Sequence, residues 1–206
     1  MERKIDNLLI NWKESKSRLP LILQGARQVG KTFTLLQFGK KNYQNVAYFN
    51  FENSTELNMV FAKNISPEQL LPQLMLLSNQ TIFEENTLII FDEIQACERA
   101  LTSLKYFAES APGFHVVAAG SLLGVAVNRK QYSFPVGKVQ IQHLFPMDFE
   151  EFLWAMGNKK GVAIIIDCFE NNSECSLLSK QTVTFQHAIP LPGHARQPSP
   201  KIMPTT

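Results

Sequence analysis

The chain has 206 residues, 45% of them hydrophobic, which is enough for one domain with a core and excludes a globally disordered polypeptide. A formal net charge of +2 gives no support for nucleic-acid binding, and three cysteines fit a reducing compartment better than a disulfide framework. The charged start carries no secretion signal, and no apolar run has the length of a membrane span. We therefore expect a cytoplasmic protein with no membrane partner.

A strand, a glycine-rich loop and a helix are predicted in succession over residues 19–38. Residues 19–24 form an apolar run typical of a short buried strand, and residues 32–38 predict a helix with Phe33 and Leu36 on one face. The sequence GARQVGKT between them has the spacing G-x-x-x-x-G-K-[ST] of a phosphate-binding loop. Glycines let the backbone N–H groups converge on an anion, and the following helix turns its positive end to the same point. The predicted nucleotide-binding residues are Gly25, Ala26, Arg27, Gln28, Val29, Gly30, Lys31, Thr32 and Phe33.

Two residues of this loop have predicted chemical roles. Lys31 would place a positive charge on the β and γ phosphates of a nucleotide, and Thr32 would offer its hydroxyl to Mg²⁺. The alternative is a strand-to-helix turn that contains glycine and carries a surface lysine. The apolar segments on both sides favour the phosphate-binding loop.

A further strand and helix follow the loop. Residues 46–51 are apolar and predict a strand, and residues 66–77 predict a helix. Ser66 is placed to cap this helix and Pro67 to occupy its first turn. Because Pro72 interrupts the pattern, a helix that begins nearer residue 72 remains an alternative.

An acidic pair ends the next predicted strand, TLIIFDE over residues 87–93. Four consecutive apolar residues indicate a strand buried on both faces, and such a strand delivers its last residues to the edge of a parallel sheet where ligands bind. Asp92 is then placed to hold Mg²⁺ and Glu93 to activate the attacking water. The alternative is a strand that ends in a solvated Asp-Glu pair. The pair lies about sixty residues after the predicted phosphate-binding loop, and this combination favours the functional interpretation.

The remaining elements complete an alternating pattern. Residues 98–110 predict a helix, 114–121 a fourth strand, 138–144 a fifth strand with one less buried face, and 148–156 an amphipathic helix. Strands that alternate with helices predict a layered α/β fold with a parallel sheet. Ser121, at the end of the fourth strand, is a candidate for contact with the γ-phosphate, against a plain strand-to-loop serine. The N-K-x-D signature of GTPases is absent, so ATP is expected rather than GTP.

The motifs LILQGARQVGKT, LIIFDEIQ, LKYFAESAPGFHVVAAGSLLGV and SFPVGKV...LFPMDFEEFLWAMG resemble prokaryotic AAA-type P-loop ATPases that carry a C-terminal domain of unknown function. The resemblance spans residues 3–157. It implies a three-layer P-loop NTPase fold with a mainly parallel five-stranded sheet and an extra strand between the Walker A and Walker B strands. It also implies ATP and Mg²⁺ as cofactors, Thr32 and Asp92 at the metal, and catalytic roles for Lys31, Glu93 and Ser121. Gln95 belongs to the family's pattern without an assigned chemistry.

The resemblance leaves three positions open. Lys138 stands where the family pattern usually has arginine, which puts an arginine-finger role there in doubt. Arg99 and Arg129 are other candidates for phosphate contact, although solvated surface charges are the simpler interpretation. Trp12 could flank the base or belong to the core of an amino-terminal helix.

We predict an AAA-type ATPase domain over residues 1–157 and an atypical, partly disordered tail over residues 158–206. The tail is rich in proline and differs from the family, which suggests a truncated member. Two alternatives are a zinc site, from Cys168, Cys175, His187 and His194, and an ordered tail in which VAIIID adds a strand to the sheet. The cysteine and histidine spacings exceed those of usual zinc sites.

The expected activity is Mg²⁺-dependent ATP hydrolysis that changes the conformation of a partner or of a C-terminal domain. The alternatives are a nucleotide-gated interaction module with little turnover and an inactive fragment. A homo-oligomer and an unidentified protein partner are compatible with the class. DNA is conceivable by analogy alone, since no basic stripe with interleaved aromatic residues supports it.

Overall fold

The computed structural model describes residues 2–121 and 135–171. Its centre is a five-stranded sheet in which all described neighbours pair in parallel, in the order β2-β3-β4-β1-β5. The strands are β1 (Leu21–Gln24), β2 (Asn45–Asn50), β3 (Thr87–Asp92), β4 (His115–Gly120) and β5 (Gln140–His143). The predicted α/β fold with five parallel strands is confirmed. The added strand β2 follows the glycine-rich loop in sequence but lies at one edge of the sheet, and β4 separates β1 from β3.

Seven helices and one 3₁₀ turn are described around or after this sheet. They are α1 (Ile5–Glu14), α2 (Lys31–Asn42), α3 (Thr55–Lys63), α4 (Pro67–Ser78), the 3₁₀ turn (Ile94–Ala96), α5 (Glu98–Ser110), α6 (Phe149–Ala155) and α7 (Lys159–Glu170). Residues 1–155 form one compact unit, and α7 belongs to a second unit that begins at Met156. None of the helices in the described part of the chain has the length and apolar character that crossing a bilayer requires.

Two hydrophobic clusters cover the two faces of the sheet, and alternate residues of β1, β3 and β4 point to each of them. Ile89 and Phe91 of β3 pack with α3, α4 and α5, whereas Leu88 and Ile90 pack with α1 and α2. Because side chains of a strand alternate between its faces, a strand that is apolar throughout must be covered on both. Helices α1 to α5 therefore form a layer on each side of the sheet.

The packed face of α2 differs from the prediction. Phe33 is 52% exposed and Leu36 only partly buried, whereas Leu35 and Phe38 are in the core. The helix begins at Lys31, which is itself 6% exposed, so the buried stripe runs from Lys31 through residues 34, 35 and 38. The glycine-rich loop thus sets which face of the helix meets the sheet.

The helix predicted over residues 66–77 is present as α4, and the alternative of a start nearer residue 72 is wrong. α4 begins at Pro67 and continues through Pro72, because Leu70, Leu71 and Leu74 are buried in the core. The sequence analysis did not predict α3, which starts where the Ser54 side chain accepts a hydrogen bond from the Leu57 N–H at 3.1 Å.

The segment VAIIID is helical, so the alternative of an added strand is wrong. It lies within α7, whose first turn is capped by Asn158, the side chain of which accepts from the Gly161 N–H at 2.9 Å. Val162, Ile166 and Phe169 recur at helical spacing, which fits a helix and not a two-residue alternation. The expected strand at residues 138–144 is present as β5, an edge strand on which Ile141 is 40% exposed.

Five phenylalanines hold the face of the sheet that carries α3 and α5. Phe91 makes edge-on ring contacts with Phe49, Phe51, Phe61 and Phe107 at centroid distances of 5.5 to 6.2 Å. Phe91→Ala should therefore lower the free energy of unfolding by about 3–5 kcal/mol, measured by denaturant titration. Phe83→Ala, at a ring that is 55% exposed, is the control and should cost less than about 1 kcal/mol. Equal losses in the two variants would contradict this packing.

A buried histidine lies at the amino-terminal end of β4. His115 Nδ1 is 2.7 Å from the Tyr43 hydroxyl, and the ring meets Trp12 edge-on. Burial, aided by the nearby charges of Arg18 and Lys13, lowers the pKa of His115 to about 4. Trp12 is 5% exposed and donates from Nε1 to the Leu19 carbonyl at 2.8 Å, so it is a core residue, and the alternative that it flanks a base is wrong.

The lowered pKa of His115 predicts a pH dependence of stability. Only the unfolded chain binds this proton between its ordinary pKa of about 6.5 and the folded value of about 4, so stability is lost as the pH falls through that interval. Thermal unfolding should show a lower Tm at pH 4.5 than at pH 7. His115→Gln should flatten this dependence, and an unchanged pH profile in the variant would contradict the assignment.

Candidate nucleotide-binding site

The glycine-rich loop joins β1 to α2 at the carboxyl end of the sheet. Gln28 and Gly30 have positive φ angles of 64° and 94°, so the chain curls before the helix starts. Gly25 lies against the backbone that follows β5, so close that an added Cβ would be 2.3 Å from the Leu144 carbonyl oxygen. Only glycine fits there without a shift of backbone.

Arg3 contacts the outer side of the loop. It donates to the Val29 carbonyl at 3.4 Å and to the Phe145 carbonyl at 2.8 Å, and its guanidinium pairs with Glu151 at 3.1 Å. Burial opposes the ionisation of Glu151, but hydrogen bonds from Arg3 and from backbone amides lower its pKa. In a trans peptide the carbonyl and the next N–H point in opposite directions. Because the Val29 carbonyl points out of the loop to Arg3, the Gly30 N–H is expected to point into the loop.

Lys31 is folded into the loop. Its Nζ donates to the Gly25 carbonyl at 3.0 Å and to the Ala26 carbonyl at 2.8 Å. Burial lowers the pKa of the ammonium, while Glu93 and Asp92 oppose that shift. Neutral carbonyls satisfy the hydrogen bonds of the charge without neutralising it, so it remains available to an anion.

Asp92 brings three elements together at the end of β3. It is 3% exposed, and its Oδ2 accepts hydrogen bonds from the Thr32 and Tyr48 hydroxyls, each at 2.8 Å. Its Oδ1 accepts from the Glu93 N–H at 3.0 Å. Burial, with a further contribution from the hydrogen bond to Asp92, raises the pKa of Tyr48 to about 12, so the phenol is a neutral donor at physiological pH.

Glu93 faces the same cleft as the loop. Its backbone is left-handed, with φ at 50°, and its Oε2 accepts a hydrogen bond from the Gln95 side-chain amide. The open cleft has a volume of about 500 Å³. It is lined by Arg27, Gln28, Gly30, Lys31, Thr32, Phe33, Glu52 and Glu93.

The other predicted residues are less directly placed. Ser121 follows β4, and within the described residues its buried Oγ has no hydrogen-bond partner. Arg99 donates from Nε to the Phe61 carbonyl at 2.6 Å, which occupies it in a structural contact. Arg129 and three of the four suggested zinc ligands lie outside the described residues, and in residues 2–121 and 135–171 no three metal-ligating side chains cluster.

The oxygen atoms of Thr32 and Asp92 fit the chemistry of Mg²⁺. Magnesium is usually held by one or two protein oxygens, with phosphate and water oxygens in the remaining positions. The 2.8 Å hydrogen bond brings a hydroxyl and a buried carboxylate together beside the loop. The donor set therefore fits a magnesium ion carried with a nucleotide.

Sequence reasoning missed three contributors to this site, namely Tyr48, Glu52 and Arg3. Tyr48 was treated only as one apolar residue of a strand. That strand, β2, pairs with β3, which ends at Asp92, so a hydroxyl on β2 can reach the carboxylate. That pairing was the available signal. Nothing in the sequence linked Arg3 to the loop, because the contact joins residues 26 positions apart.

The comparison with protein families decides the class. The family model of the AAA domain matches residues 17–153, about two thirds of the chain. The chain belongs to the AAA domain family. The predicted resemblance is thereby confirmed at the level of an AAA-type P-loop ATPase domain, which supports nucleotide binding. The expectations of a C-terminal domain of unknown function and of truncation remain predictions.

Solved structures with similar folds are distant in sequence. The chain is 15% identical to Cdc6p from Pyrobaculum aerophilum, with a TM-score of 0.46, over 75% of this chain and 47% of that one. It is 15% identical to a Drosophila ORC structure with bound DNA, with a TM-score of 0.49, over 82% and 47% of the two chains. For the Thermotoga maritima RuvB Holliday junction branch migration motor the identity is 15% and the TM-score 0.43, over 75% and 50%.

The chain thus spans about half of the length of each of these proteins. The comparison with curated proteins gave no match.

The close approach of Gly25 to Leu144 gives a direct test of the loop geometry. Gly25→Ala should lower the free energy of unfolding by about 1–3 kcal/mol and weaken binding of a fluorescent ATP analogue, because the new Cβ displaces backbone. Gly113→Ala is the control, since its Cβ would meet only the flexible Glu84 side chain. Wild-type stability and binding in Gly25→Ala would contradict the described loop.

Proposed function

We propose that this chain binds ATP with Mg²⁺ in the cleft and hydrolyses it to ADP and phosphate. The observation that carries the proposal is the 2.8 Å hydrogen bond from Thr32 to Asp92, since it joins the glycine-rich loop to the acidic strand end. Membership in the AAA domain family supports the same activity. The domain assigned to this activity covers residues 1–157, and residues 158–206 are assigned as the tail.

The loop residues bind the phosphates in this proposal. Backbone N–H groups of Gly25–Thr32 donate to phosphate oxygens, and the amino-terminal end of α2 adds a positive potential. Lys31 then gives up its hydrogen bonds to the Gly25 and Ala26 carbonyls and binds the β and γ phosphates. The exchange is favourable because charged phosphate oxygens are stronger acceptors for an ammonium than neutral carbonyls. Thr32 and Asp92 hold Mg²⁺, which supplies charge neutralisation to the phosphates when bound.

Glu93 accepts a proton from a water molecule as the water oxygen attacks the γ phosphorus. The bond from that phosphorus to the β–γ bridging oxygen breaks, ADP leaves with the electron pair, and the proton passes on to phosphate or solvent. Ser121 is assigned a contact with the γ-phosphate or the water, because its buried hydroxyl lacks a partner among the described residues. Hydrolysis would then change the conformation of a protein partner, of a second copy or of a C-terminal domain.

Phosphate release and ATP binding test this proposal together. Glu93→Gln should lower the turnover number by about 10²–10⁴-fold with little change in ATP affinity, because it removes the base and keeps the shape. Glu56→Gln, at an exposed residue of α3 that does not line the cleft, is the matched control and should change turnover by less than about threefold. Lys31→Ala should weaken ATP binding by at least about tenfold in isothermal titration.

The outcomes separate the alternatives. Tight ATP binding without phosphate release would identify a nucleotide-gated module, and a folded protein without ATP binding would contradict the proposal. Turnover that survives Glu93→Gln would remove Glu93 from the mechanism.

A further inference from the structure

The two acidic residues of the cleft are held by different neutral donors. Asp92 takes a hydrogen bond from Tyr48 on β2, and Glu93 takes one from Gln95 in the 3₁₀ turn. Neither donor is charged at physiological pH, so each one orients its carboxylate without neutralising it. The two contacts use separate elements of the fold and can be removed one at a time.

Tyr48 reaches Asp92 because β2 runs parallel to β3. Their register pairs Asn50 with Asp92, and the Asn50 side-chain amide donates to the Tyr48 oxygen at 3.3 Å. The Tyr48 hydroxyl in turn donates to Asp92 Oδ2 at 2.8 Å. A phenol has one O–H donor, so this chain of hydrogen bonds commits it to the carboxylate.

The hydrogen bond from Tyr48 fixes the direction of Asp92. The same Oδ2 accepts from Thr32 at 2.8 Å, so this oxygen is held from two directions. Partners that orient a metal-binding carboxylate change metal affinity by about 10–100-fold when they are removed. Tyr48 therefore bears on how strongly Mg²⁺ contributes to ATP binding.

Gln95 holds Glu93 through the shape of the turn. Glu93 has a left-handed backbone, and the Ala96 N–H bonds back to the Glu93 carbonyl at 2.9 Å, which returns the Gln95 amide over the Glu93 side chain. The amide donates to Oε2, while Gln95 Oε1 is buried and has no partner within the described parts of the chain. The bonded Glu93 lines the cleft beside Lys31 and Thr32.

We propose that Tyr48 and Gln95 are positioning residues with separate tasks, Tyr48 for the metal step through Asp92 and Gln95 for the water step through Glu93. This inference rests on the proposed ATP hydrolysis. It assigns Tyr48 to Mg²⁺-dependent affinity and Gln95 to turnover at saturation.

Tyr48→Phe tests the metal task. The readout is the ratio of ATP affinity in Mg²⁺ to ATP affinity in EDTA, measured by isothermal titration of the full chain. The ratio should fall by about tenfold, while the affinity in EDTA stays at the wild-type value. Tyr106→Phe, on α5, is the matched control and should leave the ratio unchanged.

Gln95→Met tests the water task, because methionine keeps the length of the side chain and lacks the donor. Turnover at saturating ATP and Mg²⁺ should fall by about tenfold, with the affinity ratio unchanged. In a Glu93→Gln background, Gln95→Met should cause no further loss, since residues that act through one group are not additive. Gln69→Met, on the exposed side of α4, is the matched control.

Thermal unfolding of each variant accompanies these assays. If Tyr48→Phe does not fold, Asn50→Ala replaces it, and a smaller fall of the same ratio is expected. Variants that change the same parameter, or neither, would overturn the inference.

The proposed function fails separately. Wild-type protein that binds ATP with Mg²⁺ but releases no phosphate contradicts hydrolysis and with it the task of Gln95. The Tyr48 readout depends on binding alone and still decides its half of the inference.

Discussion

The contact between Thr32 and Asp92 is the constraint on which the site depends. β1 and β3 are not neighbours in the sheet, since β4 lies between them. A loop that follows β1 meets the end of β3 only because α2 crosses the sheet with Leu35 and Phe38 in the core. The hydrogen bond of 2.8 Å is therefore a consequence of how the whole layer packs. Loss of that packing would separate the hydroxyl from the carboxylate.

Burial at this edge of the sheet works in favour of anion binding. Lys31 and Asp92 are both nearly inaccessible to solvent, and each is surrounded by hydrogen-bond partners instead of water. Charges in such surroundings interact more strongly than charges at the surface. Arg3 adds to this from the outer side of the loop, where its ion pair with Glu151 also ties the loop to α6.

Much of the fold could be predicted because periodicity reports burial directly. TLIIFD has four consecutive apolar residues, Leu88 to Phe91, so it had to be covered on both faces, and the structure has it between two other strands of a parallel sheet. α7 was harder, because a short apolar run such as VAIIID by itself suits a strand or a helix. The features that favour a helix, the Asn158 cap and the spacing that continues to Phe169, lie outside that run. Which side chains of α2 face the core depended on the residue at which the loop ends and the helix begins, and no local pattern defines that residue.

For the site, the sequence indicated the residues whose spacing is local and missed those that join distant segments. Gly25–Thr32 can be recognised because all the residues of the phosphate-binding loop are adjacent in sequence. Tyr48 reaches Asp92 across 44 residues, and Arg3 reaches Phe145 across 142, so their roles depend on strand order and helix packing. The function that these contacts serve was open to prediction, whereas the contacts themselves were not.

A crystal structure of the Glu93→Gln variant with ATP and Mg²⁺ tests the central claim most directly. The account predicts the γ-phosphate within hydrogen-bonding distance of Lys31, and a metal ion that contacts the Thr32 hydroxyl and lies beside Asp92, directly or through one water. A nucleotide bound elsewhere, or a metal ion too far from Asp92 to share a water with it, would contradict the account.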